Sequence, residues 1–149
     1  MQRTANIASV LDRKGHELLS VSPEMTVFEA LQRMADRDVG ALAVLNDQRL
    51  VGLFSERDYA RKVILLGKSS KETRVDEVMS HPAVTIGLQA TVNEALGSMT
   101  TLRSRHLIVV EGDRAIGMVS IGDLVNWIIS AQVEIIDHLQ SYISGSYPV

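Results

Sequence analysis

Thr26-Val27-Phe28-Glu29-Ala30-Leu31 returns as Thr91-Val92-Asn93-Glu94-Ala95-Leu96, 65 residues further along the chain. The same offset, without a gap, pairs Met34 with Met99, Leu42 with Leu107 and Val44 with Val109. It runs on through Arg49 and Arg114, Gly52 and Gly117, Ser55 and Ser120, to Asp58 and Asp123. Across positions 19–59 and 84–124, 12 of 41 residues are identical, and apolar residues replace apolar ones at 42–45 and 50–54. A gapless register of that length marks a duplicated structural unit.

Each copy carries the same succession of signals. A short extended run (Leu18 to Val21; Ala83 to Ile86) leads to an amphipathic helix opening at Thr26 or Thr91. Val27, Ala30, Leu31 and Met34 fall at helical spacing and form one apolar face. Thr26 with Glu29, and Thr91 with Glu94, have the spacing of a capping box. Two apolar strands follow, Ala41 to Leu45 with Val51 to Phe54, and Leu107 to Val110 with Ile116 to Val119, joined by polar turns. A second helix starts at Ser55 or Ser120. The fold class is therefore α/β (α+β): two tandem β-α-β-β-α repeats in a pseudo-twofold pair with a long C-terminal helix. The predicted divisions are repeat 1 over 7–66, a polar linker over 67–74, repeat 2 over 75–130, and a helical extension and tail over 131–149. Short helical segments near Ile7, Val10 and Leu11, and near Val75, Val78 and Met79, lead into the copies.

The whole chain has 149 residues, 46% hydrophobic and 22% charged, ordinary for a folded protein able to bury a core unaided. With no cysteine, disulfides, thiolate metal sites and cysteine nucleophiles are excluded. A net charge of -3 argues against general nucleic-acid binding. No apolar run approaches the roughly 18 residues that cross a bilayer, and the N-terminus lacks the layout of a secretory signal. The expectation is a cytoplasmic protein with neither nucleic acid nor membrane as partner.

Gly52-Leu-Phe-Ser55-Glu-Arg-Asp58 and its twin Gly117-Met-Val-Ser120-Ile-Gly-Asp123 are the sharpest shared feature. A glycine late in a strand leaves room for something to approach the backbone. The following helix start offers amides to phosphate, the serine adds a hydroxyl, and the aspartate offers two acceptor oxygens to a vicinal diol such as ribose. Ser-x-x-Asp is equally a helix-capping pattern that needs no ligand, and the two roles are compatible.

Charge is distributed unequally. Residues 1–74 hold 12 cations and 10 acids (+2), while 75–149 hold three arginines and eight acids (-5). In that acidic half, Arg103 and Arg105 flank Ser104 and precede His106, which suggests an anionic target; Arg57 and Arg61 lie one helical turn apart, with Lys62 beside them. Catalytic and metal signatures are missing. Gly67-Lys68-Ser69 lacks the first glycine of a phosphate loop, and Gly117-x-x-Ser120-x-Gly122 is one residue too long for a nucleophile elbow. His16, His81, His106 and His138 show no metal-ligand spacing.

These residues resemble the CBS domain, named after cystathionine β-synthase. The two β-α-β-β-α copies with their Gly-h-h-Ser-x-x-Asp motifs look like a CBS pair, or Bateman module, over roughly 7–130. Ser55-Glu56-Arg57-Asp58-Tyr59-Ala60-Arg61-Lys62 and Ser120-Ile121-Gly122-Asp123-Leu124 resemble the small stand-alone CBS-pair proteins of bacteria and plant mitochondria. The resemblance implies two clefts between the copies for adenosine-containing ligands: AMP, ADP, ATP, NAD(H) or S-adenosylmethionine. It implies ribose contacts from Asp58 and Asp123, and ribose-phosphate contacts from Ser55 and Ser120. Ser20, Val21, Thr85 and Ile86 would reach adenine or its sugar. The backbone around Val39 to Leu42 (with Gly40 and Ala41) and Ser104 to Leu107 would frame base and phosphates, and Arg105 and His106 would meet phosphate. Gly40 and Ala41 stand where the second copy has Arg105 and His106, so unequal sites are expected, with Arg57, Arg61 or Lys62 supplying charge in the first copy.

The functional expectation is a non-enzymatic regulatory module with no catalytic or metal residues, sensing an adenine nucleotide or NAD(H) and acting on an unidentified protein target. The alternative is a non-catalytic scaffold with vestigial clefts. Val125, Ile128, Ile129, Ile136, Leu139 and Ile143 could make a stripe on the last helix, read either as packing within the chain or, by preference, as the seam of a homodimer.

Overall fold

The computed structural model describes residues 5–144; the tail at 145–149 lies outside them. Within them the order is α1 (Ile7–Lys14), β1 (Ser20–Val21), α2 (Val27–Arg37), β2 (Ala41–Asn46), β3 (Arg49–Ser55) and α3 (Glu56–Tyr59), which runs on as a π-helical turn at Ala60–Ile64. Then come α4 (Val75–Val78), β4 (Thr85–Gly87), α5 (Val92–Leu102), β5 (His106–Glu111), β6 (Arg114–Ser120) and α6 (Ile121–Ser144). No helix among the described residues is long and apolar enough to cross a membrane.

The duplication extends to single hydrogen bonds. Thr26 Oγ1 accepts from the Glu29 amide at 3.1 Å, and Thr91 Oγ1 from Glu94 at 3.0 Å. The threonines are thus N-caps, although Glu29 and Glu94 are not seen completing a capping box. Both helices end on a left-handed residue, Asp38 and Arg103, each with φ 52°. Each repeat makes a three-stranded sheet in which the first strand is parallel to the second and the second antiparallel to the third. Both hairpins slip register at equivalent places, between Val44 and Leu45 and between Val109 and Val110. The duplication therefore preserves irregular features as well as regular ones.

The sheets meet through Ala41, Ala43, Leu53, Ile108 and Met118, a small apolar layer between the copies. The outer faces are covered by the helices, but not in chain order. Ile7, Val10 and Leu11 of α1 join the core of the second repeat with Val92, Leu107 and Leu124. Val75 and Val78 of α4 join the core of the first repeat with Val27, Leu42 and Phe54. The sequence has each short helix leading into the copy that follows it; each instead packs on the other one. Wholly burying side chains such as Ile7 and Leu11 contributes about 1.5–3 kcal/mol apiece, so these helices fasten the copies together.

The motif glycines make that fastening possible. A Cβ at Gly52 would stand 2.6 Å from Met79 Sδ and 2.9 Å from the Ser80 carbonyl oxygen; one at Gly117 would meet Leu11 at 3.1 Å. The room left by each glycine is filled by the protein's own chain, not by a ligand. The segment at 67–74 is also tied down: Thr73 is buried, its carbonyl accepts from Val27 at 2.8 Å, and that of Ser70 accepts from Phe28 at 2.9 Å.

Candidate functional site

Ser55 ends β3 and caps α3, and the capping pattern read from sequence is realised in full. Asp58 Oδ2 accepts from the Ser55 amide and hydroxyl, both at 3.0 Å, while Ser55 Oγ accepts from the Asp58 amide at 3.2 Å. Asp58 Oδ1 accepts from Ser80 Oγ at 2.9 Å and pairs with Lys62 Nζ at 3.1 Å. At 6% exposure, the carboxylate is buried and held on both oxygens. In the second copy, the Ser120 amide donates to Asp123 Oδ2 at 2.8 Å, and Ser120 Oγ accepts from the Asp123 amide at 3.1 Å.

Beside Asp58 a cavity of about 400 Å³ opens between the copies. Gly40, Ser55, Arg57, Asp58 and Arg61 reach it from the first repeat, and Arg105 and His106 from the second, so residues singled out from sequence in both copies converge there. Leu53, Glu56, Lys62, Ser80, Pro82, Ala83, Val84, Leu102, Arg103 and Ser104 complete its lining. Arg57 crosses the boundary, donating to the Arg103 carbonyl at 2.8 Å. The Glu56 amide donates to the Gly40 carbonyl at 3.0 Å, and at the equivalent place the Ile121 amide donates to that of Arg105 at 2.9 Å. Burial lowers the pKa of His106, Lys14 and Arg105 push it the same way, and Asp123 opposes them.

Other expected contacts lie elsewhere. Ala41, Leu42 and Leu107 are wholly buried, and Val21 and Ile86 belong to the repeat cores. Ser20 accepts from Arg33 through its carbonyl at 2.6 Å and faces a separate surface hollow against α2, while Thr85 is exposed on β4. Asp123 and Ser120 do not line the 400 Å³ cavity. Instead Lys14 Nζ sits 2.6 Å from Asp123 Oδ2 and donates to the Met118 carbonyl at 2.6 Å. The second motif is thus engaged by a lysine from α1, with a smaller hollow of about 170 Å³ beside Arg13, Lys14 and Trp127.

Ser80 and Lys14 were not singled out from sequence. Neither lies in the region where the repeats align, and by the 65-residue offset they face Gly15 and Met79. Among the described residues, no group of three His, Cys, Asp or Glu side chains could hold a metal ion.

Two sheets of identical topology, joined face to face with a Ser-x-x-Asp cap at each helix junction, define a tandem-repeat cleft module. The CBS-domain family model matches residues 9–64 and 75–130, and the chain belongs to the CBS-domain family. It is similar to the mitochondrial CBS domain-containing protein CBSX3 of Arabidopsis thaliana, 36% identical over 153 residues, covering 97% of this chain and 74% of that one. A solved protein with CBS domains from Burkholderia ambifaria is 37% identical, with a TM-score of 0.83 over 86% of this chain and 96% of that chain. A CBS domain protein from Pyrobaculum aerophilum, solved in complex with AMP, shares the fold at 22% identity, with a TM-score of 0.71 over 79% of this chain and 88% of that one. The two copies make a CBS pair, the form of a regulatory module.

Proposed function

We propose that this CBS pair binds an adenosine-containing ligand (AMP, ADP, ATP or NAD(H)) between its copies and acts without catalysis on a protein target. The observation that carries this reading is the convergence of Arg57 and Arg61 from one copy with Arg103 and Arg105 from the other around the cavity beside Asp58. An anion there is held by both repeats at once, so its binding energy depends on how the repeats are oriented. A ligand shifts a conformational equilibrium only by its differential affinity for the two states, and a cleft lined by both copies would supply that difference if their orientation changes. The AMP complex of the Pyrobaculum aerophilum relative supports an adenosine ligand.

A ribose entering beside Asp58 would have to displace a contact already made there. With both Asp58 oxygens occupied, a sugar hydroxyl reaches Oδ1 by replacing Ser80 or Lys62. Ser80 is exposed and can swing aside, leaving the acceptor without a net loss of hydrogen bonds. In this reading Asp58 is both cap and ligand acceptor.

Native mass spectrometry of freshly purified protein, with thermal shifts in AMP, ADP, ATP, NAD, NADH and S-adenosylmethionine, tests the proposal. A ligand at 100 times its Kd stabilises the fold by about 2.7 kcal/mol, a shift of several degrees. A retained or stabilising adenosine compound is the expected outcome; no adduct and no shift with any of them would overturn it.

The second reading, a scaffold with vestigial clefts, is favoured by α6. Val125, Ile129, Val133, Ile136, Leu139 and Ile143 are all at least 43% exposed along it. Such a stripe suits a second copy of the chain, and we take a homodimer to be the working form in both readings.

A further inference from the structure

The charge around the cleft is more than one phosphate requires. A second hollow of about 570 Å³ adjoins the first and shares with it Arg57, Arg61, Arg103, Ser104 and Arg105. The two form one trough with a common arginine wall. Its inner part holds Glu56, Asp58 and Ser80 beside Ala83 and Val84, polar acceptors next to apolar surface, as a nucleoside requires. No carboxylate lines its outer part, where Met99, Thr100 and Ile121 accompany the four arginines. None of Arg61, Arg103 and Arg105 forms an ion pair among the described residues, and Arg57 is committed only to a carbonyl.

This wall, built from both copies, serves one cleft only. By the 65-residue offset, Arg57 corresponds to Gly122, Arg61 to Asn126, Arg103 to Asp38 and Arg105 to Gly40. Duplication preserved the caps, the bulges and the glycines, yet no arginine of the wall has a cationic counterpart. The fold does not require these side chains, since each copy builds the same architecture without counterparts of the other's arginines.

Resting on the adenosine reading above, we infer that the trough selects a ligand with two or more consecutive phosphates, sugar inward and phosphates along the arginine wall, once per chain. Guanidinium groups hold phosphate oxygens by paired, charge-assisted hydrogen bonds. A monophosphate has too few oxygens to engage all four guanidinium groups of the shared wall. A di- or triphosphate reaches across them, and the summed positive charge of four exposed guanidinium groups draws it in.

The experiment is isothermal titration of the whole chain with AMP, ADP, ATP and inorganic tripolyphosphate at fixed ionic strength, repeated on Arg61→Gln/Arg103→Gln with its fold checked by circular dichroism. ATP is expected to bind about 10-fold or more tighter than AMP, since one hydrogen bond to a charged group accounts for that factor. One ATP is expected per chain, and the double variant should narrow the ATP-to-AMP ratio to less than about 3-fold. Equal affinity for AMP and ATP, or an unchanged ratio in the variant, overturns the inference and leaves the adenosine reading standing. Two ATP per chain overturns the assignment to one cleft. Tripolyphosphate binding that the variant loses, with no nucleotide binding, supports the phosphate trough and overturns the adenosine reading.

Discussion

His106 is half-buried where the two copies meet, with its ring 3.5 Å from the position a Cβ would take at Gly40. Burial and the nearby Lys14 hold its pKa below the ordinary value of about 6.5, against the opposing pull of Asp123. As pH falls below that ordinary value, the unfolded chain takes up the proton before the folded one does. Stability is therefore full above the unfolded pKa and declines as pH drops towards the lower folded one. Urea titrations between pH 8 and pH 5 should show this decline, and His106→Gln should remove its share of it. An equal slope in the variant would show that the groups responsible lie elsewhere. At this scale the Ser55–Asp58 pairing was legible because a cap is written in three consecutive steps of chain. Ser80 and Lys14 were not, because each reaches its aspartate from 22 and 109 positions away, outside any local pattern.

At the scale of elements, two glycines make opposite forecasts. Gly97 lies inside α5, and a Cβ placed there would meet nothing within 4 Å, so Gly97→Ala removes backbone freedom at no steric cost. A gain of about 0.5–1 kcal/mol is expected in the stability measured by urea unfolding. Gly52→Ala drives a methyl group against the Ser80 backbone and should cost about 1–3 kcal/mol. Equal effects at the two positions would contradict the close packing of the α4 segment on β3. Periodicity revealed both helices and both hairpins, since one-sided burial imprints itself on neighbouring residues. It could not reveal that α1 covers the second copy and α4 the first, because Ile7, Val10 and Leu11 make the same apolar stripe whichever sheet they cover. The long last helix to Ser144 was legible in the same way, but the π turn that the Ser55 helix enters after Tyr59 was not.

For the whole molecule, the apolar residues of α6 set the terms of self-association. Val133, Ile136 and Leu139 are 49%, 52% and 57% exposed, on a helix that continues beyond the cores. Sedimentation of the wild-type protein is expected to give twice the chain mass of 16.4 kDa, and Ile136→Glu/Leu139→Glu the single mass. A wild-type monomer at tens of micromolar would remove the homodimer from both functional readings. The inequality of the two clefts was partly legible, because Gly40 and Ala41 against Arg105 and His106 can be read by eye. That Lys14 occupies the second motif was not, since it follows from where α1 packs.

The root of α6 gives the arginine wall a mechanical connection. Ile121, its first residue, lines the outer trough and donates its amide to the Arg105 carbonyl. At about 1.5 Å per residue, the helix from Ile121 to Ser144 is a rod about 36 Å long. Under the proposed function, a tilt of about 5° at that root would carry the far end through about 3 Å. The helix would then serve as a lever, its short arm a single peptide group at the trough and its long arm the exposed apolar stripe.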